Sequence, residues 1–162
     1  MNDKCCEKKI HFRLTGDEKR WILYDVGNSA FTLLTATILP IYFNYLGEAA
    51  GLTSVQYLAY WGYAVSVTTL IVAFLGPVLG TLADTRDFKK RIFMITMAAG
   101  AAGCVVLGLL SQWMLFLIVF VIAKAGYSFS LIFYDSMLTD VTTPERMSRV
   151  SASGYAWGYI GS

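Results

Sequence analysis

Apolar residues run through this chain in long blocks rather than alternating along short elements. A helix rising 1.5 Å per residue needs about 20 of them to cross the hydrocarbon core of a bilayer. Four blocks have that character, at 21–46, 57–84, 92–110 and 113–138. A fifth, 148–162, is still apolar at the last residue and too short to cross. A charged tail, residues 1–20, precedes them all. The pattern predicts an all-α membrane protein with four complete transmembrane helices and the start of a fifth. An unfinished span would leave backbone groups unsatisfied in lipid, so the sequence is expected to be a piece of a longer protein.

The positive charges are sorted between the loops. The tail holds Lys4, Lys8, Lys9, Arg13, Lys19 and Arg20. The turn after the second block holds Arg86, Lys89, Lys90 and Arg91, and the turn after the fourth holds Arg146 and Arg149. The connections 47–56 and 111–112 hold none. Lys and Arg accumulate on the cytoplasmic side of membrane proteins. The expected topology is therefore multi-pass in the cytoplasmic (inner) membrane, with the N-terminus in the cytoplasm. The first block is too long for a cleavable signal peptide and has no clear cleavage site.

Composition agrees: 56% of residues are hydrophobic, 15% are charged, and mean hydropathy is +0.55. A net charge of +2 gives no reason to expect a nucleic-acid partner. Cys5, Cys6 and Cys104 do not form a disulfide framework and read as free thiols. His11 receives no role. No Cys or His cluster has metal spacing, and no nucleophile elbow or phosphate loop is present, so no catalytic residue, metal or cofactor is expected.

Charges inside a span are costly and turn towards a cavity or a partner. Three stand out: Asp25 in the first span, and Lys124 and Asp135 in the fourth. At 3.6 residues per turn, Lys124, Ser128, Leu131 and Asp135 share one stripe, as do Asp25, Ser29 and Thr32 with Asn28 at the edge. These stripes either line a substrate or proton path, hold helices together, or, as for Asp25 and Asp135 near the cytoplasmic ends of their spans, lie close enough to the interface to be solvated. Lys124 lies about midway along its span, where reaching either surface is hardest. Gly76, Gly80, Gly100, Gly103 and Gly108 read as close-packing positions, and Pro40 and Pro77 as kinks. Trp21, Tyr57 and Trp113, at span ends, read as an interfacial belt.

Two motifs bring a family into view. Gly80-Thr-Leu-Ala-Asp84-Thr-Arg86-Asp-Phe-Lys89-Lys90-Arg91 resembles the G-x-L-A-D-R-x-G-R-[RK] signature of the major facilitator superfamily, in the expected turn after the second helix. Asp87 and Phe88 replace the family's second glycine and the basic residue beside it. Trp21-Ile-Leu-Tyr-Asp25-Val-Gly27-Asn28-Ser29-Ala-Phe31 resembles the opening of the vacuole effluxer-like branch, named for an autophagy-related amino-acid exporter. The segments 133–138 and 151–161 resemble later parts of that branch, with Asp135 and Thr139 where it carries asparagine and proline.

The resemblance implies a twelve-helix transporter of two six-helix halves. Helices one and four of each half would border a central cavity. Asp84, with Gly80, Arg86, Lys89, Lys90 and Arg91, would act as a conformational latch against the missing C-terminal half. The expected function is secondary active transport of a small solute, by family analogy amino acids, by alternating access. Carboxylates within the spans make protons the candidate coupling ion. Two other readings stay open: a truncated membrane interaction protein without transport activity, and an intramembrane enzyme, which lacks a matched catalytic pair.

Overall fold

The computed structural model describes residues 14–83 and 86–161. Cys5, Cys6, His11 and Asp84 lie outside the described residues, and only the backbone is described for Arg86 and Asp87. Every element is helical: α1 (Gly16–Ala49), α2 (Ser54–Ala83), α3 (Arg86–Leu109), α4 (Trp113–Val141) and α5 (Pro144–Gly161). The first four are long and apolar enough to cross a membrane. The chain is an all-α, multi-pass membrane protein.

Helix α1 begins inside the charged tail. Thr15 Oγ1 accepts from the Glu18 amide at 3.3 Å, and the Glu18 carboxylate accepts from the Thr15 amide at 2.7 Å. This reciprocal capping box satisfies two N-terminal donors at once. Further along, Leu34–Ile38 forms a π-helical turn in which the Leu39 amide donates to the Leu34 carbonyl. Pro40 follows directly. Proline has no amide donor and its ring crowds the carbonyl four residues back, so the preceding turn widens. The kink expected at Pro40 thus takes the form of a π turn carrying the buried Thr35.

Helix α4 is the hub: it packs along α3 and α2 and touches both α1 and α5, while α1 packs along α5. Apolar burial drives helices together weakly when the alternative is lipid, so close van der Waals fit matters most. Between α3 and α4 that fit depends on glycine. A Cβ at Gly103 would lie 2.5 Å from Ala123 Cβ, and one at Gly100 would lie 3.4 Å from the Tyr127 amide. Gly126 closes the same seam against the Thr96 carbonyl. Among the described residues nothing lies within 4 Å of a Cβ built at Gly80 or Gly108, so neither is a close-packing position there.

Two buried clusters anchor opposite ends of the bundle. Leu39, Phe43, Leu107, Phe116 and Phe120 form one, with Trp61 against Phe43 and Phe120. Trp21, Ile22, Tyr134 and Val150 form the other, at the end bearing Lys89 and Arg146. Trp21 therefore does not belong to an interfacial belt. It is 9% exposed and packs inside this second cluster, because Tyr134 on α4 supplies both a ring and a carbonyl for it. Large apolar side chains such as Leu70, Phe74, Ile95, Leu109 and Ile122 face outward. Such a continuous apolar exterior fits lipid.

Candidate functional site

The polar stripe of α1 opens onto a cavity of about 730 Å³ bounded by α1, α4 and α5. Asp25, Asn28, Ser29 and Thr32 line one wall. Tyr127, Leu131, Tyr134 and Asp135 line the α4 wall, and Ser151, Tyr155 and Tyr159 the α5 wall. Two glycines one turn apart let α5 pass against this stripe. A Cβ at Gly158 would sit 2.9 Å from Ser29 Oγ and 3.3 Å from Asp25 Oδ2, and one at Gly154 would sit 2.8 Å from the Trp21 ring.

Hydrogen bonds order part of this wall. Ser29 Oγ donates to the Asp25 carbonyl at 3.1 Å. The Tyr127 hydroxyl lies 2.7 Å from Thr32 Oγ1 and donates to the Asn28 carbonyl at 3.3 Å. Asn28 Oδ1 is buried without a hydrogen-bond partner among the described residues. Neither the Asp25 nor the Asp135 carboxylate has a hydrogen bond or ion pair there. Acceptors left open on a cavity wall suit a polar solute, water or a proton; here Asn28 Oδ1 is buried, Asp25 is half-buried and Asp135 is exposed.

The α4 stripe is divided. Leu131 and Asp135 face the cavity just described, whereas Lys124 and Ser128 face a smaller one of about 290 Å³ against α2, with Val65, Thr68 and Phe120. The single stripe expected from the sequence therefore serves two compartments, because α2 approaches α4 on one flank and α1 with α5 on the other. Lys124 Nζ reaches the π turn of α1, 3.4 Å from Thr35 Oγ1. It also lies 5.3 Å from the Tyr127 ring centroid and 6.0 Å from that of Phe31. Both distances are within cation–π range.

At the end bearing the basic residues, two ion pairs tie helices together. The buried Glu18 carboxylate accepts from Arg146 Nη2 at 2.8 Å and from Thr142 Oγ1 at 2.8 Å, joining the start of α1 to the α4–α5 turn. Lys89 Nζ donates to Asp140 Oδ2 at 2.8 Å and to the Ser136 carbonyl at 3.2 Å, joining α3 to α4. Of the other latch candidates, Lys90 and Arg91 are exposed and Gly80 is half-buried on α2. Asp84 and the Arg86 side chain lie outside the described residues.

Sequence reasoning missed Glu18, Tyr127, Tyr134, Tyr155 and Tyr159. For Glu18 the spacing Thr15-x-x-Glu18 was a visible capping signal. For α5 the spacing Gly154-x-x-x-Gly158 marks a close helix contact, and Tyr155 and Tyr159 each follow one of its glycines. No local signal marked Tyr127 or Tyr134 as cavity residues.

Comparison with known proteins completes the picture. A sequence profile of the Major Facilitator Superfamily matches residues 12–162. An uncharacterized MFS-type transporter, YxiO of Bacillus subtilis (strain 168), is 39% identical over 153 residues. That alignment covers 93% of this chain and 36% of the relative, so the chain spans little more than a third of that protein's length. No solved structure matches.

Proposed function

The chain belongs to the Major Facilitator Superfamily, and we propose that the intact protein is a secondary transporter moving a small solute by alternating access. The observation that carries this reading is the cavity between α1, α4 and α5, where Asp25, Asp135 and Asn28 Oδ1 offer open acceptors within an apolar bundle. Lipid-facing helices around a cavity whose wall carries a few polar groups suit a solute path. In this reading the N-terminus is cytoplasmic, the membrane is the cytoplasmic (inner) one, and a C-terminal half completes the cavity.

The vacuole effluxer-like motifs support amino acids as the solute class. Asp25 and Asp135 are the groups we assign to proton coupling, since they share one cavity and carry no ion pair among the described residues. Asp84 is assigned the latch role, with Lys89–Asp140 holding its turn against α4. The test is uptake of labelled amino acids into proteoliposomes holding the full gene product, with and without a pH gradient. Gradient-driven uptake that Asp25→Asn abolishes supports the reading. Uptake indifferent to both the gradient and Asp25→Asn removes the proton route, and no uptake of any amino acid removes that solute class.

A further inference from the structure

We infer that Lys124 and Ser128 form a binding site for a small organic anion, a monocarboxylate with a compact apolar body. Lys124 stands about midway along α4, where an unmatched charge in a bilayer is costly. Among the described residues no carboxylate pairs with it. Its one hydrogen bond is the long contact to Thr35, which leaves donor capacity on the ammonium.

The chemistry of the smaller cavity fits an anion rather than a cation. Thr68 and Thr69 donate their hydroxyl protons to the Ala64 and Val65 carbonyls, one turn back on α2. The Ser128 hydroxyl makes no hydrogen bond among the described residues. Lys124 and Ser128, one turn apart on α4, both line this cavity, and of its polar side chains they are the two with donor capacity left among the described residues. The remaining walls are apolar, including Val65, Val72 and Phe120. One ammonium matches one negative charge, and a volume of about 290 Å³ holds only a small body.

The position also separates this site from the carboxylates. Lys124 and Asp135 lie about 16 Å apart along the axis at 1.5 Å per residue. An α-amino acid whose carboxylate sits on Lys124 cannot then place its ammonium on Asp135. The two regions handle different charges: the solute's anionic group at Lys124, and a proton at the aspartates in the transport reading.

The site offers the transport reading an anionic solute class different from the amino acids proposed above and rests on that reading for a physiological role, yet its test needs no transport. The full gene product in nanodiscs is melted with benzoate and with benzamide, a neutral molecule of nearly the same shape. Benzoate is expected to raise Tm and benzamide is not. Lys124→Met should weaken the apparent benzoate affinity about tenfold or more, as loss of one partner of a buried charge pair does. Lys124→Arg should retain part of it, and Ser128→Ala should lower it several-fold with the protein still folded. Should Lys124→Met fail to fold, the Lys124→Arg and Ser128→Ala pair decides.

Equal responses to benzoate and benzamide, no response to benzoate, or a benzoate response unchanged in Lys124→Met and Ser128→Ala would each overturn the site. Benzoate binding that depends on Lys124, in a protein that transports nothing, keeps the site and removes the transport reading. Transport without any charge discrimination does the reverse.

Discussion

The Trp21 indole lies flat on the Tyr134 ring, with centroids 4.4 Å apart and planes 9° from parallel. Two reciprocal hydrogen bonds lock the pair: Trp21 Nε1 donates to the Tyr134 carbonyl at 3.3 Å, and the Tyr134 hydroxyl donates to the Trp21 carbonyl at 3.1 Å. Asp135 follows Tyr134 directly and Asp25 lies one turn past Trp21, so this contact fixes how the two carboxylate-bearing helices meet.

Trp21→Ala removes the stack and one hydrogen bond and leaves a void. Large aromatic deletions from a packed site cost about 3 kcal/mol or more. Trp21→Phe keeps a ring and loses the indole donor, at about 1 kcal/mol. Reversible unfolding in mixed micelles should rank wild type above Trp21→Phe, and Trp21→Phe above Trp21→Ala. An Ala variant as stable as wild type would mean that the α1–α4 contact contributes nothing.

The α3–α4 seam makes a sharper contrast. Gly103→Ala forces a Cβ against Ala123 and should cost about 1–3 kcal/mol, as overpacking does. Gly108→Ala meets open space and should be neutral or slightly stabilising through helix propensity. Thermal melts of both variants check this. Equal losses would show that glycine matters here for some reason other than close approach.

The two ion pairs should differ in weight. Glu18 is buried and receives bonds from the Thr15 amide, Thr142 and Arg146. Glu18→Gln should cost about 2 kcal/mol, in the range for hydrogen bonds to a charged group. Asp140 is 40% exposed, but its partner Lys89 is buried and keeps only the Ser136 carbonyl besides, so Asp140→Asn should cost about 1 kcal/mol. Melts in low and high salt check both. Each pair joins one buried and one partly exposed side chain, so salt should weaken the two contributions to a similar extent, and a Glu18→Gln loss no larger than that of Asp140→Asn would contradict the ranking.

Much of this fold is legible in the sequence because bilayer thickness sets span length, and apolar runs are read without knowing any partner. Packing partners are not legible in that way. Trp21 has the address of an interfacial aromatic, and only the approach of Tyr134, far along the chain, makes it a core residue. The α4 stripe shows the same limit. Periodicity puts Lys124 and Asp135 on one stripe, but the neighbours on each flank decide which cavity each one sees. The carboxylates and hydroxyls of α1 were visible as a polar stripe in a lipid setting. The tyrosines opposite them were not, because a tyrosine in a span reads equally well as core, belt or site.

If the α1 stripe opens alternately to the two sides of the membrane, Ser29 is exposed to each in turn. Its hydroxyl lies beneath α5 beside Gly158, within the cavity. In the full gene product, with every native cysteine replaced (Cys5, Cys6 and Cys104 among them), Ser29→Cys is treated with a membrane-impermeant maleimide in right-side-out and in inverted vesicles. Ile95→Cys, on the outward apolar face, serves as the control. Ser29→Cys should be labelled from both sides and Ile95→Cys from neither. Labelling of Ser29→Cys from one side alone, or from neither, would contradict alternating access at the α1 stripe.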